Sequence, residues 1–325
     1  MLGRIKRGLL RASRIKVVID EFSQINPALF FMIVSNTTER NWYPRGGYAL
    51  LGDPLQLPVV TTQEELSENI VGFIVSRHLI RGGLNELVIQ YRMHEEICNA
   101  VNRIREELSF GLRAVQLRPD SSIRDRDLER LEYRWMEERV FNGQRLDSRT
   151  LREILEPSKT FVVVNTDRLP GSLEDLRDER TRTGSVRNVA EAEAAVDIAI
   201  AAYESYSRGA EHLSPTIITP YNAQVDIIRR MLRLRGFPGD WVTTAFRSQG
   251  RQYPFVIVSL VRNNPFRSIG FLEDIKLRAQ IYVACSRAQA KLVVLMSRGT
   301  FGGRPLYERL VDVRGSQHAL LWGWD

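Results

Sequence analysis

The sequence predicts an α/β protein of the doubly wound kind. Short runs rich in Val, Ile and Leu alternate along the chain with segments of helical period. These runs end in polar or acidic residues, as buried parallel strands do where they deliver side chains to a site. The length, 325 residues, accommodates two domains or one large one.

Ile15 to Ile19 reads as a buried strand closed by Asp20 and Glu21. Residues 24–35 read as a helix opened at Asn26-Pro27, because Asn caps and Pro suits the first turn. A Gly46-Gly47 turn precedes a second strand, Tyr48 to Leu51, which runs into Gly52-Asp53. After Leu87 to Ile89 comes Gln90-Tyr91-Arg92-Met93-His94, then a helix from about Glu95 to Leu108. Residues 120–156, dense in Arg, Asp and Glu with spaced Leu, Trp and Tyr, predict a charged amphipathic helical insertion. Strands follow at Phe161–Val164, Thr216–Thr219, Val256–Leu260 and Lys291–Met296, with helices over Asn188–Tyr206 and Asn222–Leu234. No solenoid-period repeat and no low-complexity tract interrupts the pattern.

Composition narrows the class. Hydrophobic residues at 43% and charged residues at 26% exclude disorder for most of the chain. No apolar run approaches the ~18–20 residues of a membrane span, and Met1 to Arg14 has no apolar signal region. Cys98 and Cys285 are too few for a disulfide framework, so the chain reads as cytoplasmic, with no membrane partner. Net charge is +7, and with five lysines, 41 of the 46 basic residues are arginine. Arginine's planar fork suits phosphate, yet base composition or a hot habitat accounts for such a bias equally well.

The chemistry-bearing segments begin with Asp20-Glu21. A carboxylate at a strand end can hold magnesium and its neighbour can orient a water, although acid pairs also end strands as solvated edges. Gly52-Asp53-Pro54-Leu55-Gln56-Leu57-Pro58 follows a strand, where a Gln can sense a terminal phosphate or the segment can be a simple turn. Then come Gln90-Tyr91-Arg92-Met93-His94, Ser248-Gln249-Gly250-Arg251 and Val283-Ala284-Cys285-Ser286-Arg287-Ala288. Together, in this order, the five segments resemble motifs II to VI of superfamily 1 helicases, in the branch of the nonsense-mediated-decay RNA helicase and senataxin. Asn188 with Glu191, and Ile218-Thr219-Pro220-Tyr221 with Gln224, agree with it.

The resemblance implies a RecA-like P-loop NTPase fold: an incomplete first domain over 1–88 and a complete second RecA-like domain over 89–325 carrying the insertion. It implies ATP and Mg2+, with Asp20 on the metal, Glu21 activating water, and Gln56 on the γ-phosphate. Arg92 and Arg287 are implied as arginine fingers, and Tyr91, Gln249, Gly250 and Gln252 as nucleotide-binding residues, Tyr91 near the adenine. Pro58, Thr219, Pro220 and Thr244 are implied to contact single-stranded DNA or RNA.

Three departures stand out. Ser248 replaces the family's Phe and Gln252 its Glu, which removes charge from a ribose contact. Motif VI reads Tyr282-Val-Ala-Cys-Ser-Arg-Ala, keeping the arginine and a hydroxyl. No Gly-x-x-x-x-Gly-Lys-Ser/Thr occurs, and no Gly-Lys pair at all. The expectation is a helicase core that begins after motifs I and Ia, as a split gene, a truncated gene call or a subunit that meets its P-loop in another chain. The strand at 48–51 then needs a partner strand, or residues 1–88 are poorly soluble and mobile. The rival expectation is a non-catalytic nucleic-acid-binding or regulatory module. His94 and Cys98 lack a second ligand pair and read as packing, and Trp322 and Trp324 as aromatics docking on their own domain.

Overall fold

The computed structural model describes residues 17–37, 48–57, 85–108, 116–120, 132–134, 145–175, 185–208, 211–274 and 277–324. It divides into two compact units, Met1–Asn85 and Glu86–Asp325.

In the first unit, β1 (Val17–Ile19) and β2 (Tyr48–Leu50) pair in parallel, with Ile19 opposite Leu50. Between them in sequence lies α1 (Pro27–Thr37), whose first turn is capped by Asn26: its Oδ1 accepts the Leu29 N–H at 2.7 Å. Buried Ile19 and Phe22 pack with Val17, Ile25, Phe30, Ile33 and Leu50, and the Phe22 and Phe30 rings meet edge-on at 5.1 Å. Side chains of the predicted strand and of the helix opened at Asn26-Pro27 thus form one small core.

The second unit opens with β3 (Ile89–Gln90), α2 (Glu95–Leu108) and β4 (Arg118–Pro119), β3 and β4 pairing in parallel. Next come β5 (Glu132–Tyr133), α3 (Ser148–Leu155), β6 (Phe161–Asn165) and α4 (Val189–Ser205). Then follow β7 (Tyr206–Arg208), β8 (Glu211–His212), β9 (Thr216–Thr219), α5 (Asn222–Leu234), β10 (Val242–Thr244) and β11 (Tyr253–Ser259). The chain closes with α6 (Ala279–Cys285), β12 (Ala288–Met296), α7 (Arg298–Phe301), α8 (Pro305–Val311) and β13 (Ala319–Trp322).

A six-stranded sheet, order β10-β9-β11-β12-β6-β13, is parallel throughout, so every strand's carboxyl end lies on the same side. Its central strands are buried along their length, which is why they read as continuous Val/Ile/Leu runs rather than alternating ones. Val162, Val164, Ile257, Val293 and Leu295 share one core with Leu151, Ile154, Ala195, Ile198, Ile228 and Leu232 of α3, α4 and α5. Helices α2 and α6 also contact the sheet at β12, and α2 packs on α8.

Within 120–156 the structure departs from the helical expectation. Glu132–Tyr133 is extended and pairs antiparallel with Ser207 and Tyr206; the Tyr133 and Tyr206 rings lie 5.0 Å apart. An aromatic cross-strand pair plus ladder bonds outweighs charge periodicity here. Ser148–Leu155 is helical, capped by Asp147, whose Oδ1 accepts the Thr150 N–H at 2.7 Å. Residues 121–131 and 135–144 lie outside the described residues. At the C-terminus β13 joins the sheet edge, Trp322 packs on the core, and the Arg298 guanidinium lies 5.9 Å from the Trp324 ring centre. No described helix is long and apolar enough to cross a membrane.

Candidate functional site

In the first unit, β1 and β2 end side by side. Asp20 leaves β1 as an exposed carboxylate whose Oδ1 accepts the Glu21 N–H at 2.9 Å. Glu21 lies in the left-handed region, φ +50°, and its Oε2 accepts from Gln24 Nε2 at 3.0 Å. The Phe22 N–H donates to the Leu51 carbonyl at 2.7 Å, drawing this turn against the end of β2. Gly52 suits that approach, since a Cβ there would lie a tight 3.0 Å from the Ser23 nitrogen and 3.2 Å from that of Phe22. Beyond it Asp53 builds a turn: Oδ1 accepts the Leu55 N–H at 3.0 Å and its carbonyl the Gln56 N–H at 3.1 Å. Gln56 is half-buried, anchored by the buried Leu55 and Leu57 on either side. The backbone therefore brings Asp20, Glu21 and Gln56 onto two adjoining strand ends. Pro58 lies outside the described residues.

The donor set at Asp20 bears on magnesium. No group of three or more His, Cys, Asp or Glu able to hold a metal occurs among the described residues. One exposed carboxylate suits an ion that brings phosphate oxygens and water as its other ligands, which is magnesium's usual mode with nucleotides.

In the second unit a cluster forms at the amino ends of β11 and β12. The Gln90 carboxamide fixes the turn after β3: Oε1 accepts the N–H groups of Arg92 (2.9 Å) and Met93 (2.7 Å), and Nε2 donates to the Met93 carbonyl at 2.8 Å. The His94 N–H donates to the Gln289 carbonyl of β12 at 2.8 Å, so the turn hangs on the start of that strand. Arg92 then donates through Nη1 to the Ser286 carbonyl at 3.0 Å and through Nε to Gln252 Oε1 at 3.3 Å. These partners lie 194 and 160 residues along the chain, so three of the predicted segments converge on one guanidinium.

Arg287 follows α6 and is buried, only 4% exposed. Its Nε donates to the Val283 carbonyl at 3.1 Å, Nη1 to the Arg251 carbonyl at 3.2 Å and Nη2 to Ser286 Oγ at 3.0 Å. A cation at a helix carboxyl end is favourably placed. Helix α6 is itself pinned by the buried Arg105 of α2, which donates to the Tyr282 hydroxyl at 2.5 Å. Nearby, Gly250 takes φ +72°, a conformation glycine allows without strain. Gln249 Nε2 is buried with no hydrogen-bond partner among the described residues, an orphan donor of the kind a ligand satisfies. Tyr91 is 69% exposed beside Arg92.

The opposite, carboxyl end of the sheet carries Thr219 and Thr244, register partners on β9 and β10. Both are buried; Thr219 Oγ1 accepts the Tyr221 N–H at 3.5 Å and Thr244 Oγ1 the Arg247 N–H at 3.4 Å. At the first of these turns the half-buried Pro220 and backbone groups, rather than the threonine hydroxyls, face outward.

Asn188, Glu191 and Gln224 meet beneath this end. Asn188 caps α4, its Oδ1 accepting the Glu191 N–H at 3.0 Å, and Gln224 Oε1 accepts the Asn188 N–H at 2.9 Å. Glu191 Oε1 accepts from Ser259 Oγ and from the Val261 N–H, both at 2.7 Å. Burial pushes the Glu191 carboxyl up to about 7 against these bonds, which pull it down. The role of Gln90 as a clamp, the Ser286 carbonyl and this buried network were not derivable from spacing. Their signal, polar side chains within apolar runs, acquires meaning only once the strands are paired.

The fold and these residues define a P-loop NTPase domain of the helicase kind, the C-terminal part of a superfamily 1 helicase. A family model described as an AAA domain, AAA_12, matches residues 75–299, and the chain belongs to that family. It is 27% identical over 277 residues to the DNA replication ATP-dependent helicase/nuclease JHS1 of Arabidopsis thaliana, covering 84% of this chain and 19% of the relative. With the DNA replication ATP-dependent helicase/nuclease DNA2 of Homo sapiens it shares 27% over 281 residues, covering 84% of this chain and 24% of the relative. With the uncharacterized ATP-dependent helicase MJ0104 of Methanocaldococcus jannaschii it shares 25% over 299 residues, covering 91% and 38%. The chain therefore spans well under two thirds of the length of these relatives.

Proposed function

We propose that this chain is the arginine-finger and strand-tracking part of an ATP-dependent helicase, translocating on single-stranded DNA or RNA once a P-loop is supplied to it. The observation that carries the reading is the convergence of Arg92, Gln252 and Ser286-Arg287 at the amino end of the sheet's central strands. Both arginines donate to Ser286, Arg92 to its carbonyl and Arg287 to its hydroxyl, and a transferring phosphoryl group is an anion that two such cations would neutralise. Tyr91 offers an exposed ring for the adenine, and Gln249, Gly250 and Gln252 a polar turn for the sugar. In the first unit Asp20 would hold magnesium, Glu21 would orient the attacking water and Gln56 would contact the γ-phosphate. When bound, the ion would neutralise phosphate charge. Pro58, Pro220 and the turns held by Thr219 and Thr244 would follow the phosphate backbone, which gives binding without sequence preference.

A second reading, a strand-binding module without turnover, is favoured by one observation. Arg287 is stowed against Val283, Arg251 and Ser286 and must exchange those bonds before reaching a phosphate. The discriminating experiment measures ATP hydrolysis by the chain, with and without single-stranded DNA or RNA, alone and mixed with a segment bearing Gly-x-x-x-x-Gly-Lys-Ser/Thr. Strand-stimulated turnover in the mixture that disappears in Arg287→Ala supports the motor. Salt-sensitive strand binding with no turnover in any mixture supports the module.

A further inference from the structure

Beyond β11 the chain makes a hydrogen-bonded loop, Leu260 to Ile269, at the carboxyl end of the sheet. Two of the three non-glycine residues with positive φ among the described residues lie in it, Val261 at +72° and Arg267 at +55°. A β-branched residue in that region is held there by its surroundings. Val261 is fully buried, its N–H on Glu191 Oε1 (2.7 Å) and its carbonyl accepting from Asn188 Nδ2 at 3.1 Å.

The tip is closed on itself. Asn264 Nδ2 donates to the Ser268 carbonyl at 2.7 Å, Asn264 Oδ1 accepts the Ser268 N–H at 3.0 Å, and the Asn264 carbonyl accepts the Arg267 N–H at 3.1 Å. Below it, buried Glu174 takes the Asn263 N–H at 2.9 Å and pairs with Arg262 at 3.1 Å. The return leg rests on Tyr221, the residue after Pro220: its ring lies 4.7 Å from that of Phe271 and its hydroxyl donates to the Ile269 carbonyl at 3.5 Å.

With so many bonds holding the loop, its three tip residues, Pro265, Phe266 and Arg267, all stand in solvent, and Phe266 is 80% exposed. An aromatic ring on a strained, bonded loop loses little conformational entropy on stacking, and every nucleobase presents a face to it. We propose that Phe266 is a base-stacking residue, extending the strand-binding surface from the Thr219-Pro220-Tyr221 turn across the end of the sheet. This rests on the strand-binding reading of that end. It adds a stacking platform to a surface whose other candidates act on phosphates, and it needs no readout of base identity.

The test is anisotropy binding of the full chain to fluorescent single-stranded oligonucleotides, both DNA and RNA, at two salt concentrations. Phe266→Ala is expected to weaken binding about tenfold, within the range for loss of one stacked base. Phe266→Trp is expected to keep affinity, with indole fluorescence quenched on adding strand. The phosphate contacts are unaltered, so the salt slope is expected to be the same in all three proteins. Wild-type binding that is unchanged in Phe266→Ala, with the Trp emission unmoved, overturns the stacking assignment and leaves the strand-binding reading intact. Wild-type protein that binds neither strand overturns both.

Discussion

The two ends of the large parallel sheet solve opposite problems. At the carboxyl end, Asn188, Glu191, Gln224, Ser259 and the Val261 backbone form a buried network that holds a strained loop in one shape. At the amino end, Arg92 and Arg287 donate to backbone carbonyls, a hydroxyl and an amide, bonds that an anionic ligand can replace. A network bonded to the interior sets geometry; the half-exposed Arg92 side chain, donating to a carbonyl and an amide, can exchange those bonds. Substitutions at the first end should therefore read out in stability, and those at the second in phosphate chemistry.

The largest effect separates the ends through turnover. In a mixture that hydrolyses ATP, Arg287→Ala and Arg92→Ala are expected to cut the rate by about 10³-fold or more, as arginine-finger loss does. Arg92→Ala should leave the unfolding midpoint nearly unchanged, because the side chain is half-exposed; a large drop in midpoint would make it a structural arginine.

Next comes Glu191→Ala, which removes the acceptor from the Ser259 hydroxyl and the Val261 N–H and should cost about 3–5 kcal/mol by denaturant unfolding. Glu191→Gln keeps an acceptor and should remove a pH dependence. The folded carboxyl titrates at about 7 against an ordinary 4.5, so the folded chain holds that proton more tightly. Its stabilising contribution is full below pH 4.5 and is lost as pH rises through 7, roughly 3 kcal/mol in all. Unfolding free energies at pH 5 and pH 8 should differ by less in the Gln variant.

Lys291 supplies the opposite slope. It is buried on β12, with Nζ donating to the carbonyls of Glu156 (2.7 Å) and Lys159 (2.5 Å), and burial lowers its titration from 10.5 to about 7. The folded chain releases this proton more readily, so its contribution is present above pH 10.5 and is lost as pH falls through 7. Lys291→Met should abolish any rise in stability between pH 7 and pH 9. The smallest effect falls on Tyr91→Ala, expected to move unfolding by under about 0.5 kcal/mol while weakening nucleotide binding in a titration with ATP.

Much of the scaffold was legible because local physics wrote it. The Glu95–Leu108 and Asn222–Leu234 helices follow from period and composition, and the Phe161, Thr216 and Lys291 runs from continuous burial in a parallel sheet. The short strands Val242–Thr244 and Ala319–Trp322 were missed because three or four residues carry no periodicity, and only the neighbours β9 and β6 make them strands. Glu132–Tyr133 was misread for the same reason, its extended form being decided by Tyr206 across the ladder.

At the site, the sequence alone determined which residue types occur and in what order: the acid pair, the Gln after Asp53, the arginines of two later segments and the absence of a Gly-Lys loop. It also determined the AAA-domain family, since order and identity are properties of the string. Tertiary structure decided that Arg92 meets Ser286 and Gln252, that Arg287 is stowed, that Thr219 is buried, and that Phe266 stands in solvent on a clamped loop. These are contacts between residues up to 194 positions apart, and their geometry exists only after the parallel strands have set which ends lie together.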